Sequence, residues 1–131
     1  MLISCTDLEK AVMAKLLNGG DSVLQDLRTQ FGMCNVVKRQ DTGVGFFTTF
    51  QVPPSAPRAA FGKTFSFGDV SAKISGLRHG AGFVLFVKNG LIDTLEGYCY
   101  DEVWPEHVSD FSLQYDQGES RDIEALKRAW S

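Results

Sequence analysis

Leu8, Val12, Leu16 and Leu17 recur at helical intervals behind Thr6 and Glu9. That Thr-x-x-Glu spacing lets a hydroxyl and a carboxylate satisfy amides that the first turn of a helix leaves unpaired. Asn18-Gly19-Gly20 then ends the helix, because glycine accepts the left-handed conformation of a C-terminal cap. Ser22 followed by Gln25 repeats the cap spacing. Val23, Leu24, Leu27 and Phe31 mark one face of a second helix, and Gly32 closes it. From Asn35 the period drops towards two. Asn35 to Gln40 and Val44 to Val52 are rich in β-branched and aromatic residues, and Asp41-Thr42-Gly43 between them has a three-residue hairpin signature. Pro53, Pro54 and Pro57 break the sheet, since proline has no amide hydrogen for a ladder. The stretch from Pro53 to Lys63 reads as the longest loop.

Strand pattern resumes from Thr64 to Ser75, with Gly68-Asp69 as a bend or bulge and Val70, Ala72 and Ile74 alternating after it. Phe83 to Lys88, Asn89-Gly90 and Leu91 to Tyr100 form the strongest local signal, a hairpin on a two-residue type I′ turn. Counted from that turn, Lys88 faces Leu91, Val87 faces Ile92, Leu85 faces Thr94 and Phe83 faces Glu96. Phe86 then faces Asp93, and Val84 faces Leu95. The strand from Phe83 is apolar on both faces, so it is expected to lie centrally with a covering layer on each side. Phe111, Leu113 and Tyr115 alternate as a last strand, and Ser120 caps a closing helix striped by Ile123, Leu126 and Trp130. Two N-terminal helices, a mostly antiparallel sheet of about six strands and one C-terminal helix make a single α+β domain over residues 1–131.

Composition supports a packed domain. At 131 residues with 44% apolar residues, the chain can bury a core without staples. Three cysteines, Cys5, Cys34 and Cys99, form an odd set with no short pair. That favours reduced thiols in a cytoplasmic protein, with Cys34 and Cys99 as small core residues, and offers no local zinc-ligand pair. The opening MLISCTDLEK has no basic stretch followed by an apolar run, so no signal peptide is expected. The longest apolar run, Phe83 to Val87, has five residues against the roughly 20 of a membrane helix, so a soluble protein with no membrane partner is expected.

The run GAGFVLFVKNGLIDTLEGYCYDEVWPE from Gly80 to Glu106 combines an apolar strand, a glycine turn, LEGY-x-Y and a Trp-Pro pair. It resembles a segment of small bacterial proteins without assigned chemistry, and DTGVGFFTTFQV from Asp41 to Val52 resembles that group's other marked segment. The two cover about a third of the chain. The resemblance implies a small bacterial cytosolic domain and supplies no active-site residues. Small domains of this kind include immunity partners of secreted toxins, so an immunity-type role is what it implies.

Charge adds the most pointed functional signal. Residues 1–92 balance to +4, whereas Asp93 to Glu119 holds eight acidic residues and no Lys or Arg. Such a segment is a solvated rim of loops, a surface that meets a basic protein, or a divalent-cation site; no calcium-loop pattern is present. Tyr98, Tyr100 and Trp104 lie among the carboxylates Asp101, Glu102 and Glu106, where aromatics either anchor an interface or cover the edge of the core. Glu96 falls on the apolar stripe of the expected register, either as a functional carboxylate with a raised pKa or as a hydrogen-bonded structural one. His79 and His107 stand alone. Nothing local would activate Cys99 as a nucleophile. Neither GVG nor GAG opens a helix as a phosphate cradle does. Lys38-Arg39 is the one adjacent cation pair outside the closing helix, too little for a nucleic-acid surface.

The expected function is therefore non-enzymatic binding of a basic protein through an acidic and aromatic face, with no cofactor and no metal. The alternative is a small-molecule binder or hydrolase with Glu96 and His79 lining a pocket. A homodimer module is a third reading.

Overall fold

All three α-helices described lie on one side of a seven-stranded antiparallel sheet in the computed structural model, which describes residues 3–118 and 120–130. The elements are α1 (Asp7–Leu16), α2 (Ser22–Met33), β1 (Asn35–Asp41), β2 (Gly45–Gln51), β3 (Phe65–Phe67), β4 (Val70–Ile74), β5 (Ala81–Lys88), β6 (Leu91–Cys99), β7 (Phe111–Tyr115) and α3 (Ile123–Trp130). The sheet order is β1-β2-β6-β5-β4-β7. β4 pairs with the first residues of β5, and β3 pairs with Leu85 to Val87 further along the same strand. The Gly68-Asp69 bend thus divides one expected strand into two.

Local signals account for most boundaries. Thr6 and Glu9 form the reciprocal cap of α1: Glu9 N donates to Thr6 Oγ1 at 3.1 Å, and Thr6 N donates to Glu9 Oε1 at 2.8 Å. Two caps fall elsewhere than expected. α2 is capped by Asp21, whose Oδ1 accepts from Val23 N at 2.9 Å, while Ser22 is already its first helical residue. Ahead of α3, Asp122 Oδ1 takes Ala125 N at 3.0 Å, so Asp122 does what was expected of Ser120. In both places a carboxylate adjoins the serine or follows it closely. It adds a favourable charge at the positive end of the helix. α2 also runs through Gly32 and ends at Met33.

The Asn89-Gly90 turn forms as expected, with φ of +53° and +76°. The register it sets does not hold. Lys88 pairs with Leu91 and Val87 with Ile92, but Phe86 then pairs with Thr94, Leu85 with Leu95, Val84 with Glu96 and Phe83 with Gly97. Asp93 is the extra residue of a β-bulge, and every later position of β6 points to the opposite face from the one expected. The bulge places Leu95, Gly97 and Cys99 inside and frees Glu96 from the core.

The inner face holds Phe83, Leu85, Leu95 and Val70 against Val12, Met13, Leu16, Leu24 and Leu27 of the helices. Each such side chain contributes roughly 1.5–3 kcal/mol on burial. Trp130 of α3 closes the far end, with its ring 5.7 Å from Phe65 and 5.3 Å from Phe67. The outer face has no second layer among the described residues: Val84 is half-buried and Phe86 is 37% exposed. The expectation that β5 is covered on both sides is therefore corrected. Both sides of the strand are apolar, but all the helical cover packs on one of them.

α2 also locks a loop. Gln30 is fully buried, and its Nε2 donates to Pro57 O and Gly90 O, each at 2.7 Å, while its Oε1 accepts from Ile92 N at 2.8 Å. One amide therefore ties the proline-rich loop to the β5–β6 turn. That loop carries Ala60 and Phe61 at φ of +51° and +55°, a conformation that costs a non-glycine residue of order 1–3 kcal/mol.

Candidate functional site

Strand alternation builds the outer face. Phe47, Glu96 and Val84 stand side by side across β2, β6 and β5, and Thr49, Thr94 and Phe86 make the next row. Tyr98 pairs with Gly45 on one side and Gly82 on the other. A Cβ at Gly82 would lie 2.5 Å from Tyr98 Oη, so the glycine is the seat on which the phenol rests. The Tyr98 and Tyr100 rings meet edge to face at 5.6 Å and 89°. Burial pushes the Tyr98 hydroxyl up to about 12, helped by its hydrogen bond with Tyr100 and by the negative charges of Asp116 and Glu96. Tyr98 is therefore a neutral phenol at physiological pH, able to donate or accept a hydrogen bond.

Tyr100 also borders a shallow groove of about 940 Å³ shared with His79, Lys73, Arg78, Asp110 and Asp116. Glu96 is not among its lining residues, so the groove does not join Glu96 to His79. Glu102 closes the loop beside the groove. Its carboxylate accepts from Arg78 N at 2.9 Å and His79 N at 3.0 Å, and these two amides hold its pKa below the ordinary value. Asp101, next to it, has a left-handed φ of +52° and is exposed. Cys99 lies behind this turn, its thiol directed at Val44 O and Glu102 O, and burial raises its pKa. That is the setting of an inert structural thiol.

Trp104 and Glu106 belong to the helical side. They share a pocket of about 340 Å³ with Phe46, Arg39, Asp41 and His107, and Trp104 packs edge-on against Phe46 at 5.5 Å. Glu9 lies at the floor, 1% exposed. It accepts from Arg39 Nε at 2.9 Å, Arg39 Nη2 at 2.6 Å, the Thr48 hydroxyl and Thr6 N. Burial acts to raise the Glu9 pKa, but the bonds from Arg39, Thr48 and Thr6 outweigh it and hold the carboxyl below its usual range.

The eight candidate residues thus divide. Glu96, Tyr98 and Tyr100 share the outer face and its edge, His79 sits beside Tyr100, Trp104 and Glu106 line the pocket near α1, and Asp101 and Glu102 form a turn. The acidic run is dispersed as well: Asp110 and Asp116 line the groove with Lys73 and Arg78, Glu106 shares a pocket with Arg39, and Asp93 lies near Lys88. Glu119, the last residue of that run, lies outside the described residues. Among the described residues, no three His, Cys, Asp or Glu side chains gather as a metal site, and no helix is long and apolar enough to cross a membrane.

No family model, curated protein or solved structure matches the chain. Packing accounts for the glycine of the LEGY segment, because the Phe46 ring lies where a Cβ of Gly97 would stand, at 2.4 Å. Sequence reasoning missed Phe47, Val84 and Phe86 as surface residues. The available signal was the two-sided apolarity of β5, read as burial when one side is open.

Proposed function

We propose that this chain is a non-enzymatic protein-binding domain that receives a basic partner on the uncovered face of its sheet. The observation that carries this reading is Glu96 set between Phe47 and Val84, with Phe86, Tyr98 and Asp93 near it and, among the described residues, no helix over them. An apolar face of this kind gains free energy when a partner covers it. Covering it also removes water from the Glu96 carboxylate, which is costly unless the partner supplies a cation. A lysine or arginine in an otherwise apolar partner surface meets both demands. An immunity-type role, with a basic secreted toxin as the partner, is the specific form that the sequence resemblance suggests.

The test is affinity capture from the source cell with the purified domain, followed by calorimetry on the captured protein. A basic partner whose binding weakens about tenfold or more in Glu96→Arg and in Phe86→Ser supports the reading. Binding unchanged by both substitutions refutes it.

A further inference from the structure

The turn Ala60–Gly62 stands out among the described residues. Phe61 is 102% exposed, so its ring touches almost nothing of its own chain. Three consecutive residues, Ala60, Phe61 and Gly62, take positive φ of +51°, +55° and +79°. A strained turn that lifts a phenylalanine clear of the surface costs stability twice, and such strain persists only where the surroundings impose it.

Here the surroundings do. Ala59, just before the turn, is fully buried and its amide donates to Gly90 O at 2.9 Å. Gly90 N donates to Lys63 O at 2.8 Å, Arg58 Nη1 to Asn89 O at 2.6 Å and Asn89 N to Thr64 Oγ1 at 3.0 Å. With Gln30 bridging Pro57 and Gly90, the loop and the β5–β6 turn form one cross-tied tip. Its exposed charges are mostly positive, with Asp93 beside Lys88 as the nearest carboxylate. Arg58, Lys63 and Lys88 are exposed, and neither residues 53–64 nor residues 84–92 contain an Asp or Glu.

We infer that this tip docks on an anionic lipid surface, with Phe61 entering the boundary between headgroups and acyl chains and Arg58, Lys63 and Lys88 lying among the phosphates. An apolar apex with cations at its base fits that interface, where insertion and attraction to anionic lipid act together. The length of the apolar runs, from which no membrane partner was expected, does not register a single side chain raised on a turn. The chain carries a net charge of −3, so attraction depends on the tip facing the bilayer and is short-ranged in salt. A single aromatic and three cations give weak, reversible attachment.

The experiment is co-sedimentation with phosphatidylcholine vesicles containing or lacking phosphatidylglycerol. Binding is expected only to the anionic vesicles and is lost at high salt. Phe61→Ala should reduce the partition coefficient about tenfold, and Lys63→Gln with Lys88→Gln roughly tenfold or more. Neither change touches a buried side chain, and unaltered melting curves confirm the fold. In a Phe61→Trp variant the indole emission should shift to the blue on anionic vesicles and be quenched by brominated acyl chains. Absence of binding to anionic vesicles overturns the inference, and so does binding that Phe61→Ala leaves intact. Tighter, Phe61-dependent binding to soluble polyglutamate than to vesicles would also overturn it by assigning the tip to acidic proteins. Lys88 shares a pocket with Phe86 and Asp93 of the sheet face, so the Phe61 variants are the ones that separate this inference from the reading built on Glu96.

Discussion

In a Glu9→Gln variant the side chain keeps its shape but meets the wrong partners. The carboxylate accepts four hydrogen bonds, two from Arg39 at 2.9 and 2.6 Å, one from Thr6 N at 2.8 Å and one from the Thr48 hydroxyl. An amide can keep only the acceptors on its oxygen; its NH₂ group turns a donor towards another donor. Removing one partner of a buried ion pair costs about 3–5 kcal/mol. Arg39 keeps 29% of its side chain in water and can rehydrate in part, which lowers the expectation to about 2–4 kcal/mol. For a domain of this size that is a fall in Tm of roughly 10 °C. Urea unfolding of the wild type, Glu9→Gln, Arg39→Met and the double variant measures the pair directly, and the double variant should lose less than the sum of the single losses.

The pH dependence follows from the depressed pKa of Glu9. Because the folded value lies below the unfolded value of 4.5, the ionised form contributes stability above that value. This contribution is lost as the pH falls through the folded pKa. The gap between wild type and Glu9→Gln should therefore be full at neutral pH and shrink as the pH drops from about 5 towards 3. A cost below about 1 kcal/mol at neutral pH, or a gap that does not change with acid, would refute the reasoning.

Two further substitutions probe the framework. Gln30→Ala removes the partner of Pro57 O in a part-buried bond and leaves Ile92 N unpaired in the interior; it should cost about 1–3 kcal/mol and speed hydrogen exchange at the Ile92 amide, and an unchanged exchange rate would show that Gln30 ties nothing together. Gly82→Val drives a side chain into the space of the Tyr98 phenol; ultraviolet titration should then find the Tyr98 pKa falling from about 12 towards 10, whereas an unchanged value would show that the ring does not depend on that seat.

What could be read from the sequence was what is encoded over a few residues. The Thr6–Glu9 cap, the Asn89-Gly90 turn and the alternation of β4 and β7 each depend on neighbours in the chain, and each forms. Where two acceptors compete within two residues, as at Asp21 and Ser22 or Ser120 and Asp122, pattern alone does not decide which one the helix uses. The register of β6 failed for a different reason. A turn dipeptide fixes the first pairs only, and the bulge that follows is selected by the need to place Leu95 inside. Glu9 and Gln30 were invisible as anchors because their partners lie 27 to 62 residues away, apart from the Thr6 contact. Phe61 has a legible signal, an aromatic residue inside a proline-broken loop, but pattern alone does not show that its ring stands clear of the chain. Of the candidate site, composition identified the aromatic and acidic residue types, but their distribution over separate surfaces depends on the inside–outside parity of each strand.

Asp93 is the supernumerary residue of its hairpin, with Phe86 and Val87 matched to Thr94 and Ile92 on either side of it. A chain lacking Asp93 could therefore close the same ladder without interruption, and no other side chain would change sides. Loss of a residue farther along the strand would instead invert everything beyond the gap, sending Cys99 outward and Tyr98 in. A single-residue loss within this paired arm therefore leaves every remaining side chain on its own side at Asp93 and not farther along.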